Sequence, residues 1–445
     1  MSKTKTKPET NSEIQEVKKP KKHRVRKFFL GLLCVIVAFV LITTLVTVIG
    51  LNANLNKAKS FKAVQYDTEL PEFENYDEGM WNIYTDRELK VLQLTDVHIG
   101  GGWMSIKKDS MAINTVAALI SAEKPDFVIV TGDISYPVPF QAGTFNNKSA
   151  AKIFANLMES LGVYWTVCYG NHDTEAYSYY SREDLTEFYA SDKFPHCLMQ
   201  AGPEDVDGVG NQVFSVVNSD NITTRALVML DSHSYVDGDY FGILWKYDNI
   251  HDNQVAWYKQ VVEDINERNA SLLEEYAQTN EAVAQKYSDL ETVKTSLFFH
   301  IPLVEYQDAW NEFKDNGYKD TENVKYNYGT IGEKGELIYP GIHSDDLFET
   351  MLETKSGDSV FCGHDHLNNL SVNYKGIDLT YGMSIDYLAY SGIYKLGSQR
   401  GCGVLLINPD DGALKAYHEN YYQDKYLSQY AKEEVTMQTL NENFD

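Results

Sequence analysis

Five short apolar runs, each ending in side chains that bind metals, constrain this chain more than any other feature. LKVLQL runs into Asp96 and His98 of TDVH, DFVIV into Asp133 of TGD, and VYWTVC into Asn171, His172 and Asp173 of YGNHD. SLFF precedes His300 of FFHIP, and DSVF precedes His364 and His366 of VFCGHDHLN. Apolar β-rich runs closed by turn residues read as strands, with the polar group at the strand's C-terminal end. In an open α/β sheet those ends are where ligands bind. Packing alone does not explain five such ends on one chain.

Each piece by itself is weak. An isolated His-x-His is more often a surface or core pair, TGD is an ordinary strand-to-turn signal, and Asn-His-Asp can be a turn. The order and the strand context carry the signal. Two divalent metals roughly 3.5–4 Å apart need a shared carboxylate with flanking His, Asn or Asp ligands. Asp96, His98, Asp133, Asn171, His300, His364 and His366 supply that inventory. Residues two apart in extended chain point the same way, which suits Asp-x-His and His-x-His. Mixed nitrogen and oxygen donors suit Mn, Fe or Zn better than Ca.

Phe28 to Ile49 carries no formal charge over about 22 residues, long enough to cross a bilayer as a helix. Residues 1–27 hold ten Lys/Arg against three Asp/Glu, a net of +7. The positive-inside rule keeps such a leader in the cytoplasm and sends the remainder outside. A cleaved signal peptide is the competing reading, but no A-x-A-like site follows Leu51. The whole chain is at −25, which leaves −32 beyond the leader. An acidic exterior argues against nucleic acid, which needs a basic face. Bound divalent ions would reverse that field locally for an anionic substrate. Of five cysteines, Cys34 lies in the apolar span, and Cys168 and Cys362 read as strand hydrophobes. Cys197 and Cys402 could pair outside the cell.

The expected organisation is a leader over 1–27, an anchor over 28–51, a stalk over 52–88, one large domain over 89–425 and a polar tail over 426–445. Within the domain, Leu89–Thr95, Ser110–Ala122 and Asp126–Val130 read as strand, helix and strand with a right-handed crossover. Ser149–Leu161 and Val163–Cys168 repeat the pattern. Gln212–Val217 and Arg225–Leu230 read as paired strands. Asn253 to about Lys294 reads as a long helix with an exposed second half, and 311–345 as a long loop.

The order D-x-H, GD, GNHD, H, GHDH is similar to the calcineurin-like metallophosphoesterase superfamily, over about Val91 to Ile407. FFHIPLVEY, VFCGHDHLN and GPEDVDGVGNQVFSV resemble the purple-acid-phosphatase-like branch with plant and fungal members. The resemblance implies a four-layer α/β/β/α sandwich. It implies that Asp96, His98 and His366 hold one metal, that Asn171, His300 and His364 hold the other, and that Asp133 bridges them. It makes His172 an acid or oxyanion stabiliser, with Asp173 holding its imidazole in one tautomer. Tyr136 lies three residues after Asp133, at the spacing of the metal-binding tyrosine of true purple acid phosphatases. Those enzymes have Gly where this chain has His98, so Tyr136 reads as a supporting residue here.

Other candidates have bland readings. His233, His251 and His343 read as surface or packing histidines, and Asp231-Ser232 as a strand-end hydrogen-bonding pair. Arg400 could contact phosphate or make an ordinary ion pair. Tyr177, Tyr179 and Tyr180 could line a cleft or pack under a loop. Asn221 and Asn269 open sequons that matter only in a glycosylating host.

The expected function is membrane-anchored hydrolysis of phosphate esters by a metal-bridging hydroxide, with two divalent or mixed-valence Mn, Fe or Zn ions. A phosphomonoester, on a protein or free, is the favoured substrate. Phosphodiesters, nucleotide pyrophosphates, a receptor signalling through the basic leader, and a non-catalytic surface protein that keeps the fold are the alternatives. The bilayer, through residues 28–51, is the second expected partner. Protease added to intact cells is expected to remove the domain and leave the leader protected. A protected domain would refute this orientation.

Overall fold

In the computed structural model, residues 22–236, 246–390 and 400–419 are described, together with Thr4 and Ile393. Most of the expected leader over 1–27 and all of the polar tail over 426–445 therefore lie outside the described residues. The chain divides into two units, Met1–Val46 and Thr47–Asp445. From Lys22 on the first unit is helical, and its large apolar side chains, among them Phe28, Leu33, Phe39 and Leu45, are exposed. They belong to α1 (Lys22–Ala58), which is long and apolar enough to cross a membrane as an anchor or to act as a signal sequence.

The second unit begins inside α1, and here the stalk reading fails. Leu55 and Ala58 are buried in the core, Asn54 donates to the Ile106 carbonyl at 3.1 Å, and Lys57 donates to Ser110. The acidic run that looked like linker forms a hairpin, β1 (Glu72–Asp77) and β2 (Met80–Tyr84). Its charges point out along an edge strand, which is why the run lacks the apolar signature of an internal strand.

The next elements alternate strand and helix: β3 (Leu89–Leu94), α2 (Ile106–Glu123), β4 (Phe127–Thr131), α3 (Asn147–Leu161) and β5 (Tyr164–Cys168). α4 (Arg182–Tyr189) precedes the antiparallel pair β6 (Gln212–Val217) and β7 (Thr223–Met229). The long helix breaks at Asn280 into α5 (Asp252–Thr279) and α6 (Glu281–Lys286) and yields to β8 (Lys294–Phe298). The expected loop over 311–345 holds the end of α7 (Val304–Asp315) and a strand, β9 (Val324–Tyr328). Then come α8 (Leu347–Thr354), β10 (Gly357–Cys362), β11 (Ser371–Tyr374), β12 (Ile377–Tyr381), β13 (Cys402–Ile407) and β14 (Leu414–Glu419).

Two sheets result. One has nine strands in the order β1-β2-β6-β7-β8-β10-β12-β11-β9, the other five in the order β14-β13-β3-β4-β5. Period-2 alternation divides the side chains between faces. Phe127 and Ile129 of β4 face the layer between the sheets, with Leu227, Met229, Phe298 and Phe361 from the other sheet. Val128 and Val130 face outward against α2 and α3. On the far side, Val228, Leu297 and Val360 pack under α5, α7 and α8. The layers are therefore α/β/β/α. Strands buried on both faces read as unbroken apolar runs, which is why they were legible.

β3, β4 and β5 run parallel, as do β7, β8, β10 and β12. Their C-terminal ends meet at one rim. The Gln93 amide donates to the Cys362 carbonyl at 3.1 Å across the two sheets, and the Gly363 amide donates to the His300 carbonyl at 3.1 Å. Cys197 and Cys402 are both free and buried, so the pairing considered for them does not form.

Candidate metal centre

Every expected ligand lies on this rim. Asp96 and His98 follow β3, Asp133 follows β4, Asn171 follows β5, His300 follows β8, and His364 and His366 follow β10. The turns that present them are tight. Asp96, His98, Asp133 and His364 have φ of 49°, 51°, 56° and 77°, a left-handed conformation that costs a non-glycine residue about 1–2 kcal/mol. Strain of this kind persists only where the surroundings hold it. Gly170 shows how close the packing is: a Cβ there would collide with the Asp133 carboxylate.

Asp133 is the hub. Its Oδ2 lies 3.1 Å from His98 Nε2 and 3.3 Å from His300 Nε2, while Oδ1 accepts the His172 amide at 2.8 Å. On one side, Asp96, His98, Asp133 and His366 bring one donor atom each within 4.8 Å of one another, a buried group that fits a metal ion. On the other side, Asn171 Oδ1 lies 3.2 Å from His300 Nε2 and 3.0 Å from His364 Nδ1. The two imidazole nitrogens are themselves 3.3 Å apart. His300 donates its Nδ1–H to the Thr131 carbonyl at 2.8 Å, so a neutral ring turns a lone pair from Nε2 toward this point. Converging lone pairs of this kind call for a cation between them.

The charges give the same answer. Asp96, Asp133 and Asp386 are buried, and two like charges 4 Å apart repel by about 4 kcal/mol at an effective dielectric of 20. Burial opposes the charging of His300, but the Asp133 carboxylate outweighs it and raises its pKa to about 9. Burial likewise opposes the charging of His366, and the Asp386 and Asp96 carboxylates raise it well above its ordinary value. His364, buried beside charged His300, is pushed well below its ordinary value.

Two residues that the sequence reading missed support the centre. Asp386 lies 3.3 Å from His98 Nδ1 and 3.2 Å from His366 Nδ1, ion-pair distances whose angles fall short of hydrogen bonds. It follows β12, a further parallel strand ending at the rim, and that strand-end position was the available signal. Glu175 accepts from His172 Nδ1 at 2.6 Å. The expected partner, Asp173, does something else: its carboxylate turns inward and accepts the backbone amides of Asp133, Gly170 and Ser135 at 2.8–2.9 Å. Burial, then Asp133, raises its pKa to about 6. Asp173 therefore holds the turns, and Glu175 holds the imidazole.

Aromatic rings surround the centre. Tyr136 stacks on His98 with centroids 4.5 Å apart, Tyr247 meets His364 edge-on at 4.3 Å and Tyr390 meets His366 at 4.8 Å. The Asn171 amide donates to the Tyr235 hydroxyl at 3.0 Å. Burial raises the Tyr136 pKa, and its hydroxyl donates to Gln141 at 2.6 Å, so it stays a neutral supporting phenol. Ser232 accepts the amides of His300 and Ile301, and Asp231 pairs with Arg182. Arg400 is buried and donates to the Ile385 and Asp386 carbonyls, which braces the Asp386 turn.

The sequence matches the model of the calcineurin-like phosphoesterases over residues 89–368. It is 26% identical over 366 residues to "Probable inactive purple acid phosphatase 29" of Arabidopsis thaliana, covering 77% of this chain and 84% of that one. It is 29% identical over 330 residues to "Probable inactive purple acid phosphatase 14" of the same plant, covering 69% and 73%. It is 27% identical over 347 residues to the Saccharomyces cerevisiae "Phosphatase DCR2", covering 71% and 52%. A solved dimetal phosphatase from Danio rerio overlays in outline only, at TM-score 0.43 and 11% identity, over 76% of this chain and 100% of that one.

Asp386→Asn removes a charge beside two imidazoles without changing side-chain size. It is expected to weaken metal binding about 10–100-fold, read by competition with a chelator. Unchanged affinity would remove Asp386 from the support of the centre.

Proposed function

Because the chain belongs to the calcineurin-like phosphoesterase family, we propose that it hydrolyses phosphate esters at the rim where the two sheets meet. The observation that carries this reading is the Asp133 carboxylate oxygen set between His98 and His300 nitrogens. Asp96, His98 and His366 would hold one ion, Asn171, His300 and His364 the other, and Asp133 both. The donor set suits Mn, Fe or Zn. Two such ions would supply Lewis acidity to the phosphoryl oxygens and a nucleophilic water at neutral pH.

The remaining work falls to the chain's own residues. His172 sits beside the centre, its ring edge-on to His98 at 5.5 Å and to Tyr136 at 4.7 Å. Its Nδ1 is committed to Glu175, so Nε2 is the nitrogen left to protonate or stabilise a leaving oxygen. Asp173 fixes the turns carrying Asp133 and Asn171. The tyrosine rings lower the polarity around the reacting groups, which strengthens each charge interaction there. A phosphomonoester, free or on a protein, is the favoured substrate. The uncharged stretch 28–49 of α1, following a +7 leader, supports a single-pass anchor with a cytoplasmic N-terminus and the domain outside.

The names of the two plant relatives favour a second reading, a protein that keeps the fold without turnover. Against it stands the full set of seven candidate ligands with His172. The test is hydrolysis by metal-loaded full chain from detergent-solubilised membranes, with aryl phosphate monoesters, diesters and pyrophosphates compared. Monoester hydrolysis is expected to be fastest, and Asp133→Asn to lose both metal and turnover. Full activity of that variant with two metals bound would remove the bridge. Failure of the loaded chain on every ester would leave the non-catalytic reading.

His172→Ala separates chemistry from metal binding. It is expected to keep both metals and to lower kcat about 10²–10⁴-fold on an ester with a poor leaving group. The loss should shrink on an activated aryl ester, whose leaving oxygen needs little protonation. Equal losses would mean charge stabilisation instead of proton donation, and loss of a metal would make His172 a ligand.

A further inference from the structure

We propose a separate divalent-cation site, suited to zinc, formed by His233, Asp248 and His251. One donor atom from each lies within 4.8 Å of the others, and none belongs to the strand-end centre. The two imidazoles stack with centroids 3.9 Å apart and an interplanar angle of 19°. Two histidines with one carboxylate and water make a common zinc set.

The hydrogen bonds around the rings decide which nitrogens are offered. Gln254 is fully buried, and its amide nitrogen donates to Asn211 Oδ1 and to the Asp231 carbonyl. Its Oε1 can therefore only accept, so His233 carries its proton on Nε2, 3.0 Å away, and keeps a lone pair on Nδ1. His251 Nδ1 lies 2.7 Å from Asp207 Oδ2, which leaves Nε2 facing Asp248 Oδ1 at 3.4 Å. Asn253 holds the other Asp207 oxygen at 3.1 Å. A carboxylate or amide behind each ligating imidazole is the usual arrangement around a bound metal. His233 also sits at φ 61°, a strained position for a side-chain-bearing residue.

Positive charge nearby opposes a cation here: Arg182, paired with Asp231, donates to Ser234 next to His233. His251 caps the N-terminus of α5, the positive end of the helix dipole. Asp207 and Asp248 beside the rings, with Asp252 in the first turn, offset it. The ion would tie the N-terminus of α5 to the segments that carry Tyr235 and Tyr247. Tyr235 and Tyr247 pair in an antiparallel bridge, and the Asp248 amide donates to the Ser234 carbonyl at 3.2 Å. Tyr235 touches Asn171 and Tyr247 touches His364, so the site would fix two walls of the strand-end centre from behind.

The test uses full chain in detergent, stripped with a chelator and re-equilibrated with buffered Zn²⁺, with bound zinc counted by elemental analysis. The wild-type chain is expected to bind one equivalent more than His251→Gln and than the near-isosteric Asp248→Asn, both with unchanged far-UV circular dichroism. Asp133→Asn is expected to retain that equivalent, and zinc is expected to raise its thermal midpoint. If the strand-end centre takes no metal, a zinc equivalent lost with His251→Gln still supports this site. Equal zinc in the wild type and both variants, or loss of all zinc with Asp133→Asn, would overturn it.

Discussion

One oxygen of Asp133, between an imidazole from each sheet, is the contact on which the rest of the rim depends. His98 comes from the turn after β3 in the five-stranded sheet and His300 from the turn after β8 in the nine-stranded one, and both reach Asp133 Oδ2. For that to happen, the parallel strands of the two sheets must end at the same height. The apolar layer between them sets that height, with Phe298 and Phe361 stacked at 5.1 Å and Phe127 against Phe214 at 4.7 Å. The core thus decides where the charges lie. The charges in turn account for the strained turns, because relaxed turns would not bring Asp96, His98, Asp133 and His364 to one point.

Holding so many carboxylates out of water is costly unless each is paired. The ion pairs of Asp96, Asp133 and Asp386 are made with histidines. A metal takes the deprotonated imidazole, so metal affinity at a centre built on histidines rises with pH. The outer partners then fix orientation. Thr131 sets the tautomer of His300, Asp386 sits behind His98 and His366, and Arg400 braces the Asp386 turn.

The fold was legible wherever strands are buried on both faces. β3, β4, β5, β8 and β10 announce themselves as apolar runs, and the candidate ligand at the end of each could be placed with its strand. β1 was not legible, because an edge strand with one wet face can be as acidic as a linker. β9 was hidden in the same way: Lys325 and Asn327 occupy a strand whose outer side is exposed. Among the site residues, those adjacent to a strand end were legible and those placed by tertiary structure were not. Asp386 follows a short strand after a hairpin, and only the rim reveals that it backs two imidazoles. Glu175 takes the role expected of Asp173, because sequence adjacency does not say which way a carboxylate turns. Asp173 follows the backbone amides of the GD and GN turns, and Glu175, three residues after His172, is the one within reach of its ring.

That change of role bears on how turnover could be lost without loss of the metal centre. The seven candidate ligands are buried or nearly so, and each is held by at least one neighbour inside the rim. His172 is different: its side chain is 23% exposed, and its ring is hydrogen-bonded to a single carboxylate, with His98 and Tyr136 edge-on beside it. The candidate ligands are held by packing, charge and backbone hydrogen bonds, whereas the proposed acid, His172, keeps its tautomer through one 2.6 Å hydrogen bond. Drift in a relative that spares every ligand could therefore end turnover through Glu175 or His172 alone. A surface protein of that kind would keep its metals and its fold, and a survey of ligands would not tell it from an enzyme. In this chain both members of the pair are in place, which makes His172 with Glu175, more than any ligand, the discriminating feature between the two readings.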